Sequence, residues 1–545
     1  MFGLALLDVL VIVGYLVGIT SLGIWAGRRV RGTKDFFMPR KFGKSMMMMH
    51  AFGTGTASDQ AVVVSAGTFK NGLSGIWFQW LWMFNTPFYW LIAPIFRRLR
   101  ANTTADVYRL RFGFSVSVLF AIVGIIGLAV KIGLMLKGAG ALIDAGTNGA
   151  VSSSIAMPVV AILFVIYGTA GGLSAAILTD YIQGILTVVF SFILLPSVLQ
   201  AVGGLSGLRE TVNDPQMLSL VAPDKIDSLY IATLALLSLI GIVAQPFIMG
   251  VCASGRTEMD GRFGFVVGNL IKRVCSAAWA VTGIASLAYF MQEGLTIDGS
   301  TSDRVFGQMA QTFLAPGWFG LFVAALLAGV MSSCDSFMIS ASGLFTENLY
   351  RPLRVGCSEK HYLWVGRIAA LVIVSAGLWV AFKMPNVISG LKTWLKIAPM
   401  LGVAFWLGLF WKRFNAAGAW ASTIAGFLGW WGMSFTELSE PIQILAYLSL
   451  SVAAGVVASL VSKRPVAANV ERFHDLIRTP VAAGEKLTEP CQLPTGCEVG
   501  TRPMWFTGTD FEFPRPSKIS VVGFVLASLA VAAMISGFKC LIGRV

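Results

Sequence analysis

Four oxygen-bearing side chains lie close together in the middle of a largely apolar stretch at residues 322–350: Ser332, Ser333, Asp335 and Ser336. An ionised carboxylate inside a membrane helix is costly unless a partner compensates its charge. Hydroxyl and carboxylate oxygens are the ligands that hard cations such as calcium take, and sodium is a hard cation of the same kind. The cluster therefore predicts a cation site within a membrane helix, as in a transporter.

A second apolar stretch, residues 46–69, has a polar middle that reads Gly-Thr-Gly-Thr-Ala-Ser-Asp-Gln at 53–60. Glycine beside small polar residues lets a helix unwind, so that freed carbonyls can coordinate a cation and a half-helix N-terminus can face an anionic group. Close helix packing through small residues is the alternative. Asp59 favours the ion-site interpretation, because packing does not require a buried carboxylate.

A matching interruption lies five helices later, where Gln245 and Pro246 stand in the middle of residues 235–254. A lone proline would indicate only a kink. Two interrupted helices in corresponding positions of two halves predict a binding site at the membrane midplane.

Further polar groups fall within apolar stretches. Asp180 either belongs to a site or is a helix-start charge at the membrane interface. Lys131 lies in mid-span and needs a partner, whereas Lys396 either snorkels to the interface or lines a cavity. Gln79 lies six residues before Asn85, a spacing that does not place the two clearly on one helix face.

The composition is that of a polytopic membrane protein. The chain has 545 residues, of which 56% are hydrophobic and 12% charged, whereas soluble domains have about 25% charged residues. Histidine occurs only at 50, 361 and 474, and no HExxH, GxSxG or P-loop motif is present. These features predict that the chain is not an enzyme.

The net charge of +14 does not indicate a nucleic-acid partner, because 27 of the 41 Lys and Arg residues fall in alternate loops. That alternation predicts a multi-pass protein of the cell (inner) membrane with its N-terminus outside. It accompanies 14 apolar runs long enough to cross a bilayer, which lie near 4–27, 46–69, 72–96, 116–146, 151–168, 173–202, 229–253, 264–291, 317–345, 362–382, 387–411, 416–436, 441–462 and 519–541. Residues 463–518, rich in proline and charge, are predicted to be a solvated cytoplasmic linker.

Four stretches together resemble the sodium/solute symporter family, whose members include sodium/glucose, sodium/proline and sialic acid symporters. They are TKDFFMPRKFGKS at 33–45, YGTAGGLSAAILTDYIQ at 167–183, GVMSSCDSFMISASGLFTENLY at 329–350 and LGLFWKRFNAAGAW at 407–420. The resemblance covers about residues 30–460. It implies the LeuT-type fold, an all-α membrane protein that works by alternating access and functions as a monomer.

The resemblance also implies a domain organisation. Residues 1–45 form an extra N-terminal helix and a basic loop. Two inverted five-helix repeats follow at 46–202 and 229–413. Accessory helices at 414–545 include the segment 463–518.

Site residues follow from the same resemblance. It implies a sodium ion on the carbonyls of Ala57, Gln60 and Gly329 and the hydroxyls of Ser332 and Ser333. A second sodium ion would use Asp180, Asp335 and Ser336. The solute would meet Asp59, Gln79, Lys131, Gln245 and Lys396, although the family's substrate positions are less well matched than its ion site.

The leading hypothesis is a sodium-coupled symporter of a small polar organic solute that is sugar-like, carboxylate or amino-acid-like. Two lysines against Asp59 favour a neutral or anionic solute over a cationic one. Proton coupling through Asp59 or Asp180 is the alternative within transport. A membrane solute sensor that does not transport is the alternative from another class.

Overall fold

The computed structural model describes residues 4–28, 36–56, 58–222, 226–295, 301–482, 484–485 and 489–543. The protein is a bundle of helices. They are α1 Leu6–Gly27, α2 Lys44–Gly53, α3 Ser58–Asn71, α4 Trp77–Trp80, α5 Thr86–Arg98, α6 Thr104–Phe112, α7 Phe114–Gly146, α8 Ser153–Phe192, α9 Leu195–Ala201, α10 Gly204–Thr211, α11 Ser228–Ile242, α12 Ile248–Ala253, α13 Glu258–Gln292, α14 Thr301–Phe313, α15 Trp318–Gly343, α16 Arg351–Leu353, α17 Glu359–Lys383, α18 Val387–Phe410, α19 Ala416–Met433, α20 Glu440–Val461, α21 Ala467–Arg478 and α22 Lys518–Gly543.

Shorter elements join them. Two 3₁₀ turns, Gly72–Ile76 and Leu81–Met83, flank α4, and a π-helical turn, Leu344–Tyr350, continues α15. A two-stranded antiparallel hairpin pairs β1 Met504–Trp505 with β2 Phe513–Pro514.

Within the described residues, nine helices are long and apolar enough to cross a membrane, and two shorter apolar ones lie at Ser153–Ile166 and Ser228–Ile242. The remaining predicted runs correspond to α2–α3, to the segmented stretch that contains α4 and α5, and to α19. Each apolar run therefore coincides with helical structure, while the count of about 14 crossings stays a prediction.

The two predicted helix interruptions are present. The first separates α2 from α3, and there Gly55 has a φ of +81°, a left-handed conformation that glycine adopts without a Cβ clash. The second separates α11 from α12 at residues 243–247, where Pro246 has no N–H to donate and disfavours helix in the residue before it. A further kink lies at Gly172 within α8.

Two long helices enclose the first break. α15 is buried along most of its length and packs against α1, α7 and α8. α13 packs against α2, α3 and α5, and its approach to α2 is close because Gly264 and Gly268 have no side chain. A Cβ at Gly268 would lie 2.6 Å from the Met48 carbonyl oxygen. The break between α2 and α3 therefore lies between α13 and α15.

The prediction of a solvated linker at 463–518 is wrong for the part that contains α21 and Glu485, whereas most of residues 491–518 are exposed or half-buried. The amphipathic helix α21 packs against α5 and α6. Burial, together with Arg111 and Lys412 nearby, lowers the pKa of His474 on this helix to about 3, so that the imidazole is neutral at pH 7. The side chains that α21 buries are Val470, Phe473, Leu476 and Ile477.

Ion pairs fix the segment that follows α21. Arg100 Nε lies 2.7 Å from Glu485 Oε1, and both side chains are almost fully buried. Arg98 forms a two-point pair with Glu258 and also donates to the Ile477 carbonyl at 3.1 Å. We call the end of the bundle that carries these arginines the basic end. Because Glu485 supplies the counter-charge of the buried Arg100 guanidinium, the chain around Glu485 is docked against the fold.

The docking is testable with Glu485→Ala. The variant leaves a buried guanidinium unpaired, which costs about 3–5 kcal/mol. We expect trypsin to cleave residues 463–518 of the purified protein at least tenfold faster than in the wild type. Glu498→Ala removes an exposed carboxylate of the same segment and should leave the rate unchanged. Equal cleavage of the two variants would contradict the docked arrangement.

Candidate cation and solute site

Hydroxyls of α15 meet the backbone of the first break, as the sequence predicts. Ser333 Oγ accepts a hydrogen bond from the Gly55 N–H at 3.0 Å and donates one to the Gly53 carbonyl at 2.8 Å. Gly53 also faces Ser332, since a Cβ there would lie 2.6 Å from Ser332 Oγ. An oxygen-lined junction between the broken helix and α15 follows from these contacts.

The other predicted ligands of the first cation lie around this junction. Gln60 is buried, and its amide donates to the Gly55 carbonyl. Gly329 lies on α15 one turn before Ser332 and Ser333. Ala57 lies outside the described residues.

Asp180 is brought to the same junction from α8. Its Oδ1 accepts a hydrogen bond from Ser332 Oγ, and its Oδ2 lies 2.6 Å from His50 Nδ1. His50 was not singled out in the sequence, although it is one of only three histidines and lies one turn before Thr54. The carboxylate is fully buried, so it does not face water at the membrane interface.

The remaining members of the predicted second cation site lie nearby on α15. Ser336 Oγ accepts a hydrogen bond from Thr54 Oγ1 at 3.2 Å. Asp335 is fully buried and its carboxylate packs against Gly168 of α8, where there is no room for a larger residue. Asp335 therefore points towards the first half of α8, while Ser336 points towards the break.

A small cavity of about 40 Å³ lies on the other side of the break, large enough for water but far smaller than a typical ligand pocket. Three predicted solute residues, Gln79, Lys131 and Gln245, line it. Other polar or aromatic lining residues are Thr54, Gln60, Trp82, Tyr89, Phe247, Phe265, Asn269, Lys272, Arg273, Phe337 and Trp394. A solute would enter only if the surrounding helices moved apart.

Asp59 and Lys131 form a buried ion pair. Asp59 Oδ2 lies 2.6 Å from Lys131 Nζ, and the two side chains are 0% and 1% exposed. The ammonium also lies 4.5 Å from the centre of the Trp394 ring, a cation–π contact. The pair joins α3 to α7, and it gives Lys131 the partner that its depth in the membrane requires.

Lys396 does not reach this cavity. Its Nζ lies 3.3 Å from Glu440 Oε1, while Lys392 on the same helix lies 2.6 Å from Glu440 Oε2. Glu440 begins α20 and also accepts a hydrogen bond from the Tyr230 hydroxyl. The assignment of Lys396 as a solute ligand is therefore corrected, since its ammonium is neutralised by a carboxylate of an accessory helix.

Sequence reasoning missed two cations of the cavity, Lys272 and Arg273 on α13. Lys272 Nζ donates to the Thr54 carbonyl at 3.2 Å. Arg273 donates to the Gln79 carbonyl at 2.6 Å and also to the Gln79 side chain. A signal was present, because Gly264, Gly268 and Lys272 recur at a spacing of four and so share the helix face that approaches α2.

A model of the sodium:solute symporter family matches residues 36–426. The chain belongs to this family. The predicted resemblance is thereby confirmed. The matched relatives are transporters, which agrees with the prediction that the chain is not an enzyme.

The chain is 28% identical to the sodium/proline symporter of Salmonella typhimurium over 57% of its own length and 62% of that protein, less than two thirds of it. It is 24% identical to the osmoregulated proline transporter OpuE of Bacillus subtilis over 84% of its length and 96% of that protein. It is 25% identical to the sodium/pantothenate symporter of Haemophilus influenzae over the same shares.

Solved structures show the fold. A substrate-bound, outward-open Na⁺-coupled sialic acid symporter superposes with a TM-score of 0.73 at 18% identity, covering 84% of this chain and 99% of that one. The nucleobase-cation-symport-1 family transporter MHP1 gives a TM-score of 0.53 at 10% identity, with 82% and 99% covered. This symporter-family chain therefore has a helical membrane-transporter fold.

The Asp59–Lys131 pair predicts a stability effect. Asp59→Asn leaves Lys131 buried beside a neutral amide, so the free energy of unfolding should fall by about 3–5 kcal/mol. The double variant Asp59→Asn with Lys131→Met removes both charges and should recover most of that loss. Thermal unfolding of the purified protein in detergent, without sodium, measures both.

Lys392→Met is the matched control, because its pair with Glu440 is about one third exposed and such pairs contribute at most about 1 kcal/mol. An unchanged melting temperature in Asp59→Asn, or a double variant no more stable than the single one, would show that the pair does not hold α3 to α7.

Proposed function

We propose that this protein is a sodium-coupled symporter that moves a small polar organic solute, sugar-like, carboxylate or amino-acid-like, into the cell by alternating access. The observation that carries the proposal is the junction at which Ser332 and Ser333 face the Gly53 carbonyl across a broken helix. Uncharged oxygens from two helices meet there in a fully buried position, which is the donor set of a hard cation.

The proposed sodium ion would take the place of a hydrogen bond. Ser333 Oγ and the Gly53 oxygen are 2.8 Å apart, a separation that also suits two ligands of one ion. The ion would draw on the hydroxyls of Ser332 and Ser333 and the carbonyls of Ala57, Gln60 and Gly329. Because these ligands come from both α3 and α15, the ion would favour the arrangement in which the two helices are close.

A second ion is proposed at Asp180, Asp335 and Ser336. Ser332 links this site to the first, since its hydroxyl bonds Asp180 while it faces Gly53. The contact between His50 and Asp180 supports a second candidate function, proton coupling, because a buried histidine and carboxylate can exchange a proton. Sodium-free uptake driven by a pH gradient and abolished in His50→Phe would favour that alternative.

We further propose the LeuT-type architecture with inverted repeats at 46–202 and 229–413, each of which begins with an interrupted helix. In this arrangement, residues 1–45 precede the repeats and 414–545 follow them. The basic end would face the cytoplasm, with the N-terminus outside and about 14 crossings of the cell membrane. The protein would work as a monomer, since both proposed ion sites and the cavity lie within one chain.

Sodium dependence is tested with Ser333→Ala. Loss of one ligand to a desolvated ion should cost about 1–3 kcal/mol, which lowers the apparent sodium affinity about 5- to 150-fold. Sodium-dependent thermal stabilisation of the purified protein is the measurement, with choline as the control cation. Ser340→Ala is the matched variant, because in the part of the chain that the structure describes that hydroxyl donates within its own helix, to the Ser336 carbonyl. Equal thermal stabilisation of the wild type by sodium and by choline would contradict the proposal.

The number of ions is tested with Asp180→Ala in reconstituted vesicles. Two coupled ions should give solute uptake a sodium Hill coefficient approaching two, and the variant should lower it towards one. A wild-type Hill coefficient of one over a complete sodium titration would contradict the second ion site.

A further inference from the structure

The charges around the cavity do not cancel. Three cations, Lys131, Lys272 and Arg273, line it, and none of its described lining residues is acidic. The nearest carboxylate is that of Asp59, which pairs with Lys131 at 2.6 Å. Lys272 and Arg273, both on α13, therefore have no carboxylate partner among the described residues.

Lys272 has less bonding than a buried ammonium requires. It is 5% exposed, and its Nζ makes one hydrogen bond, to the Thr54 carbonyl at 3.2 Å. An ammonium carries three N–H donors. No ion pair joins Lys272 to a carboxylate within the described ranges. Because Thr54 caps the C-terminus of α2, its carbonyl offers only the partial negative charge of a helix C-terminus.

Among the described residues, the hydrogen-bond partners of Arg273 are all neutral. Its two terminal nitrogens donate to Gln79 and, at 3.2 Å, to Asn269 Oδ1. The guanidinium carbon lies 5.7 Å from the centre of the Trp82 ring. Arg273 Nε has no hydrogen-bond partner among the described residues. The side chain is thus positioned without being neutralised, an arrangement suited to a planar oxyanion.

We infer that the solute is a small organic anion and that Lys272 and Arg273 bind its carboxylate or equivalent oxyanion. The inference rests on the proposed symport function and names the substrate class of that same cavity. Gln79, Gln245 and Asn269 offer uncharged hydrogen-bonding groups for the rest of a polar molecule, and Trp82 and Trp394 offer apolar faces. Lys131 contributes less to binding of the anion, because its charge is already paired with that of Asp59.

Stability of the unliganded protein gives a test that needs no solute. If Lys272 serves to bind an anion, Lys272→Met removes a buried amine that pairs with no carboxylate among the described residues and should raise the melting temperature, as removal of destabilising functional groups does. If Lys272 instead holds the break together through Thr54, the same variant should melt at a lower temperature. That second outcome would overturn the inference.

Binding of defined probes gives the other arm. In sodium, the wild type is screened by thermal shift against matched sets: glucuronate, glucose and glucosamine; lactate and lactamide; pantothenate and its alcohol. We expect an anionic member to stabilise the protein while its neutral and cationic counterparts do not. Lys272→Met and Arg273→Met should each lower the affinity for that anion at least tenfold, and Arg273→Lys should lower it less.

Sodium titrations without solute separate the possible failures. Retained sodium stabilisation in Lys272→Met and Arg273→Met is the expected result, because neither residue is a proposed ion ligand. If sodium does not stabilise even the wild-type protein, the symport proposal itself fails. A sodium-responsive wild type that binds a neutral or cationic probe, with equal affinity in Lys272→Met, overturns only the anion inference, as does a screen in which no anion binds.

Discussion

A backbone break in the middle of a membrane must have its freed N–H and C=O groups satisfied by protein, and this requirement organises the centre of the structure. Ser333 Oγ accepts a hydrogen bond from the Gly55 N–H and donates one to the Gly53 carbonyl, and the Gln60 amide donates to the Gly55 carbonyl. Bonds of this kind replace what water would supply elsewhere. α15 and α3 are consequently tied to one short stretch of chain.

The side chains around that stretch are segregated by charge. On the α8 and α15 side lie Asp180, Asp335 and the serine hydroxyls, which suit cations. On the α7 and α13 side lie Lys131, Lys272 and Arg273, of which only Lys131 has a carboxylate partner in the structure as described. Under the two proposals, an ion and an anionic solute would approach the break from opposite sides, and each would lower the cost of burying the other.

Much of this arrangement was predictable from the sequence. Apolar runs located the helices, and Gly53–Gln60 and Ser332–Ser333 located the break and its partner helix, because intramembrane oxygens and glycines are rare without a purpose. Lys131 was correctly expected to need a partner. Depth in the membrane, however, does not identify a neighbour: Lys396 meets Glu440 on a helix that sequence reasoning left as accessory. Lys272 and Arg273 were overlooked because they lie in a run whose average hydropathy hides them. The docked segment was missed because proline and charge are equally typical of a solvated linker.

The buried contact between Arg100 and Glu485 joins residues 385 positions apart. A ribosome that adds about 5–20 residues per second needs roughly 20–80 s to make the intervening chain. Throughout that interval Arg100 lacks the counter-charge that Glu485 supplies. Its guanidinium therefore stays hydrated at the surface of the bundle. Only the chain around Glu485 can close this corner. Synthesis of that segment, rather than insertion of the preceding helices, is thus the step that lets the basic end reach its final packing.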